Sequence, residues 1–74
     1  MKADIRLSTV LIIRKGGKYL TGRNPVTGEF VWRSDKWDAW GTRIRAEARS
    51  VAEKSGGEIL LWNPIAGQIR KYAG

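Results

Sequence analysis

The chain has 74 residues, with 14 Lys and Arg against 7 Asp and Glu, for a net charge of +7 and a pI near 10.4. A chain this short holds one small domain, which buries roughly 60% of its unfolded surface. Cys and His are both absent, which removes disulfides, thiolate sites, thiol nucleophiles and the commonest general base, and sets aside most hydrolase and metalloenzyme mechanisms.

In chain order, residues 5–13 read as a first strand. Ile5, Leu7, Leu11 and Ile13 alternate to one face, and Arg6, Ser8, Val10 and Ile12 to the other. Val10 to Ile13 is apolar on both faces, as in a central strand. Gly16-Gly17 supplies the positive φ angles of a two-residue hairpin turn, and Lys18 to Arg23 returns as the second strand. Pro25 to Gly28 forms a four-residue loop leading into a third strand, Glu29 to Arg33. After the polar bend Ser34-Asp35-Lys36, Thr42 is the expected N-cap of a helix over 43–55, with Ile44, Ala48, Val51 and Ala52 as its apolar stripe. Gly56-Gly57 ends the helix, Glu58 to Asn63 is a fourth strand, and Gln68 to Tyr72 a short fifth. The segments Asn24–Phe30 and Asn63–Ile69 share the pattern N-P-[VI]-[TA]-G-[EQ]-[FI]. Common turn chemistry is the plain explanation of this echo, with a true repeat or paired ligand loops as the alternative.

These elements predict an α+β domain of order β-β-β-α-β-β. It is a two-layer fold, an antiparallel sheet with one helix on one face and the other face uncovered. Counting from the two turns pairs Arg14 with Tyr19, Ile12 with Thr21, Val10 with Arg23, Thr21 with Trp32 and Arg23 with Phe30. The helix would then cover Ile5, Leu7, Leu11, Ile13, Leu20 and Val31. Arg6, Val10, Ile12, Arg14, Tyr19, Arg23, Phe30 and Trp32 would share the open face, with all assignments exchanged by a one-residue slip.

The open face is the first candidate binding surface. Aromatic rings stack on bases, and nearby arginines contact phosphate. Arg14, Tyr19, Arg23 and Trp32 carry this reading, with Lys15 and Lys18 making the hairpin tip basic. The competing readings are a second small core and a protein interface. The second candidate is the helix. Arg43, Arg45 and Arg49 crowd its first turns, where cations oppose the macrodipole. Arg43 can pair with Glu47 and Arg49 with Glu53, but Arg45 and Arg49 form a like-charge i,i+4 pair that suits an external anion, or an ordinary solvated face. Of the four tryptophans, Trp40 and Trp62 read as structural and Trp37 as the freest, a possible interface anchor. Asp35 and Asp38 could in principle hold Mg²⁺, but a lone D-x-x-D is very weak evidence and no metal or cofactor is assigned. The RKGGK turn lacks the ending of a phosphate loop.

The longest apolar run, Val10 to Ile13, is far below the roughly 20 residues needed to span a bilayer. The charged start MKADIRLS does not read as a signal peptide, so a soluble, cytoplasmic protein without membrane attachment is expected.

From Trp32 to Ile69 the chain resembles small proteins of phages and prophages. The shared features are the aromatic strand at Trp32, a bend containing Asp35, Trp40 before Thr42, and an Ala-rich helix through Ala48 and Val51-Ala52. Gly56-Gly57, a strand through Ile59 and a final turn at Gly67 complete the pattern. That class includes anti-CRISPR inhibitors, which bind nuclease complexes without catalysis. The resemblance implies such a role in a host cytoplasm and assigns no functional residue. The basic charge departs from inhibitors that mimic DNA and suits contact with guide RNA, target DNA or an acidic surface. The expectation is therefore a non-enzymatic binding protein for nucleic acid or a host nucleoprotein complex. The alternative is a small module that forms homodimers through the open sheet face, and a weaker one a metal-assisted nuclease on Asp35 and Asp38.

Overall fold

The structure is a computed structural model and describes residues 9–72. The architecture is the expected α+β layer pair: an antiparallel sheet with one helix packed on it. The strands are β1 (Val10–Lys15), β2 (Lys18–Arg23), β3 (Phe30–Arg33), β4 (Gly41–Thr42), β5 (Glu58–Asn63) and β6 (Gln68–Lys71), with helix α1 (Arg45–Ser55) between β4 and β5. A 3₁₀ turn, Lys36–Asp38, follows β3. The sheet order is β3-β2-β1-β5-β6, with β4 also paired to β1. The expectations for Ile5, Arg6 and Leu7 lie outside the described residues.

β1 is the central strand because it is apolar on both sides. Leu11 and Ile13 face the helix, while Ile12 enters the opposite cluster, and Ile12 and Ile13 are fully buried. Gly16 and Gly17 take φ of 58° and 78°, and the turn sets Arg14 opposite Tyr19 as expected. The next expected pairs, Ile12–Thr21 and Val10–Arg23, do not form. β5 occupies one edge of β1 from Val10 to Arg14, so β4 fits on the other, pairing Leu11 with Thr42 and Ile12 with Gly41. β2 is displaced there, and the backbone N–H of Trp40 donates to the Leu20 carbonyl at 2.7 Å. The chain thus crosses the sheet between β1 and β2. Ala39 packs on one face and Trp40 on the other.

The helix face holds Ile13, Leu20 and Ala52, packed with Phe30, Trp32, Trp40, Val51 and Ile59. The opposite face holds Ile12, Leu60 and Trp62, packed with Val10, Tyr19, Ala39 and Ile69. This face is not open. The 3₁₀ turn folds over it, and the Trp37 ring meets Trp62 edge-on, with centroids 5.1 Å apart at 75°. Burial of Leu60 to 2% and Trp62 to 5% exposure corrects the expectation of an uncovered surface.

The helix begins two residues later than the sequence suggests. Thr42 is held in β4, where its Oγ1 accepts from the Ile44 N–H at 3.1 Å, so Ile44 becomes the N-cap without a side-chain cap bond. Ile44 accordingly leaves the expected apolar stripe and is 60% exposed; Ala48, Ala52 and Ser55 are the buried helix residues. Small side chains at these positions let the helix approach the sheet closely. Gly56 ends the helix in the left-handed conformation at φ 75°, its N–H donating to the Ala52 carbonyl at 2.9 Å.

Candidate nucleic-acid interface

The expected aromatic–arginine platform is taken apart by a single bulge. Arg23 pairs with Phe30 as expected, and Gly22 with Val31. The register then shifts, so Leu20 rather than Thr21 opposes Trp32. An extra residue in one strand exchanges the faces beyond it. Phe30 and Trp32 therefore join the helix-face core, and Val31, expected there, is 36% exposed. Arg23 follows them: its guanidinium lies over the Phe30 ring, 4.4 Å from the centroid, an arrangement in which the ring's negative face attracts the cation. Of the four residues proposed for that platform, only Arg14 and Tyr19 remain neighbours on the second face. Arg14 Nη2 is 3.3 Å from Glu58 Oε1, and Tyr19 packs against the buried cluster. These contacts account for both side chains structurally.

The hairpin cations also separate. Lys15 Nζ donates to the Ser55 carbonyl at 3.2 Å, placing its charge at the negative end of the helix dipole and tying the β1–β2 turn to the helix terminus. Lys18 is exposed and lies near Trp32, Arg33, Asp35 and Asp38. Asp35 Oδ1 accepts from the Trp37 N–H at 2.9 Å and caps the 3₁₀ turn. Among the described residues no group of three or more His, Cys, Asp or Glu is placed to hold a metal ion.

The helix set fares differently. β4 runs antiparallel to β1 and ends beside Leu11, so Arg43 and Arg45 emerge at the end of the sheet where β1 begins. There they flank an open groove floored by Leu11 and Leu61 and bordered by Thr9 and Tyr72. The groove continues past Thr9 and Leu61 to Asn63, Gln68 and Arg70. Three arginines from two distant parts of the chain thus border one channel. The uncapped start of α1 adds the positive end of its dipole and first-turn N–H groups without intrahelical acceptors. Glu47, in the same turn, offsets part of this field. Tyr72 borders the groove with its ring, its hydroxyl being buried and without a hydrogen-bond partner among the described residues. Arg49 lies one turn further along the helix and has an interaction partner of its own.

Arg70 and Tyr72 were not among the residues expected to bind. Alternation places them on one face of the β6 segment with Gln68, a pattern present in the sequence. The Asn63–Gly67 turn sets Leu61 opposite Arg70, but their approach to the helix start depends on β4 and β5 taking opposite edges of β1, which no local pattern reveals. The groove offers guanidinium donors, amide and hydroxyl groups and an apolar floor, a combination that suits a phosphate-bearing ligand. Comparisons of the chain with protein-family models, with curated proteins and with solved structures give no match.

Proposed function

We propose that this chain is a non-catalytic binding protein that engages nucleic acid, free or within a nucleoprotein complex, through the groove between the start of α1 and the β5–β6 hairpin. The observation that carries this reading is the convergence of Arg43, Arg45 and Arg70 along one channel beside an uncapped helix start. Guanidinium groups bind phosphate oxygens in a fixed fork, and a net charge of +7 draws a polyanion to so small a surface. Inhibition of a nuclease complex, as the phage resemblance implies, is the specific form this activity would take. Nothing in the reading requires an acid, base or metal.

The test is binding of labelled duplex DNA, single-stranded DNA and RNA across a salt series. For duplex, the affinity of the unaltered chain should fall with log salt at a slope of about −3 to −5. Replacing Arg43, Arg45 and Arg70 by Ala should make that slope shallower by about 3 and weaken binding on all sequences alike. Replacing Arg14 and Lys18, at the opposite end, should change the slope by less than about 1. Salt-independent binding, or equal losses from both sets, would overturn the assignment of the groove.

A further inference from the structure

The groove end of the molecule carries a second set of groups. Val26 is 90% exposed, Ile65 68% and Ile44 60%. All three lie at the end of the sheet where β1 begins. Val26 is in the loop after β2 and Ile65 in the loop after β5, and both strands run antiparallel to β1. Ile44 follows β4, which does the same. Among the described residues the other exposed large apolar side chains, Val31 and Trp37, lie on β3 and the 3₁₀ turn.

The two loops hold their tips by one device. Asn24 Oδ1 accepts from the N–H groups of Val26 and Thr27 at 2.9 and 3.3 Å; Asn63 Oδ1 accepts from those of Ile65 and Ala66 at 3.1 and 3.2 Å. Gly28 and Gly67 close them at φ 75° and 69°. The echoed N-P-[VI] pattern therefore gives the same turn twice and presents the same type of side chain at each tip. The two hairpins lie at opposite edges of the sheet, their midlines three strand spacings, about 14 Å, apart along the sheet order. Exposed arginines stand among the tips: Arg23 at the end of β2, Arg43 and Arg45 beside Ile44, and Arg70 on β6.

We infer that this end docks on an anionic lipid surface, with Val26, Ile44 and Ile65 entering the acyl boundary and the arginines meeting lipid phosphates. Aliphatic tips set widely apart on separate turns make no continuous patch for a shape-matched protein pocket, whereas a bilayer yields to each independently. A second copy is disfavoured because a symmetric contact would bring four arginines against four. Aliphatic tips also lack the π-faces that stack on bases. The contact requires no spanning segment, in keeping with the absence among the described residues of a helix long and apolar enough to cross a membrane. Charged residues near an anionic leaflet and buried apolar side chains act together in such attachment.

Co-sedimentation with vesicles of phosphatidylcholine alone, and of phosphatidylcholine mixed with phosphatidylglycerol, tests this. The chain should bind the mixed vesicles at least roughly tenfold more tightly, and high salt should abolish the difference. Val26→Ser, Ile44→Ala and Ile65→Ser together should lower partitioning by at least roughly tenfold, since each removes apolar surface otherwise withdrawn from water, and Ala at position 44 leaves the helix start uncapped. Because these side chains are exposed, the variant should keep the helical circular dichroism and the salt-dependent duplex binding of the unaltered chain. Equal binding to both vesicle types, or undiminished vesicle binding by the folded triple variant, overturns the inference. So does loss of duplex binding by that variant when the unaltered chain ignores vesicles, because the tips would then belong to the nucleic-acid contact. The nucleic-acid reading fails by a different result, salt-independent duplex binding.

Discussion

Two glycines of this chain are required for different reasons, one for space and one for backbone conformation, and they show how local geometry becomes stability. A Cβ added at Gly57 would lie 2.4 Å from Ile13 Cγ2, 3.2 Å from the Arg14 carbonyl oxygen and 3.3 Å from Trp32 Cη2. Ile13 is fully buried, so it cannot move aside. Gly57→Ala should therefore destabilise the fold by about 2–3 kcal/mol through overpacking, read as a lower urea midpoint at unchanged slope. At Gly28 nothing lies within 4 Å of the added carbon, and only the positive φ of 75° resists it. Gly28→Ala should cost about 1 kcal/mol. Equal costs would mean that the Gly57 backbone can withdraw from Ile13. Both glycines look alike in the sequence, one beside another Gly and one after Thr. Only the arrival of Ile13 and Trp32 against Gly57 separates them.

At the level of elements, the two Asn-Pro loops use the same hydrogen bonds in different surroundings. Asn63 is 5% exposed, while Asn24 is exposed. Asn63→Ala leaves the Ile65 and Ala66 N–H groups without their acceptor where solvent has less access, and should cost about 2 kcal/mol. Asn24→Ala, whose freed N–H groups reach water, should cost under about 1 kcal/mol. Thermal unfolding of both variants checks the ordering, and a reversed order would show that the loop bonds do not hold β5 to β6. These loops were fully legible in the sequence, because Asn, Pro and Gly act on their own backbone. The bulge was less so. Gly22 inside the second strand is the usual mark of one, but the mark does not say which residue is left over. The leftover residue decided whether Phe30 and Trp32 joined the core or the surface. The two-residue strand β4 had no period to read, and Thr42, a sound capping residue by type, was drawn into it.

On the scale of the whole molecule, the second sheet face determines association. Ile12, Leu60 and Trp62 are covered from within the chain by Ala39 and the 3₁₀ turn. Sedimentation should therefore show a monomer of 8.3 kDa over a concentration series. Trp37→Ala uncovers Trp62 and should introduce concentration-dependent self-association, because a newly exposed apolar patch seeks cover. A dimer already present, and indifferent to Trp37, would place the association on another surface. The same long-range arrangement governs charge. Arg14, Lys15 and Arg23 are near one another in sequence yet end on Glu58, the Ser55 carbonyl and the Phe30 ring. Arg43 and Arg45 are far from Arg70 in sequence yet border the same groove.

By itself the sequence determined the α+β class, the two glycine turns, the β5 segment, the end of the helix and the excess of positive charge. Each of these follows from forces acting over a few residues: alternation of apolar side chains, the left-handed freedom of glycine, the rigidity of proline. The tertiary structure decided which face each aromatic residue occupies, what covers the second face and which arginines share a surface. Those outcomes depend on where β4 enters beside β1 and where the β2–β3 register slips. Both are competitions among distant strands for the same backbone partners, and the free-energy difference that settles them arises only when the layers pack together.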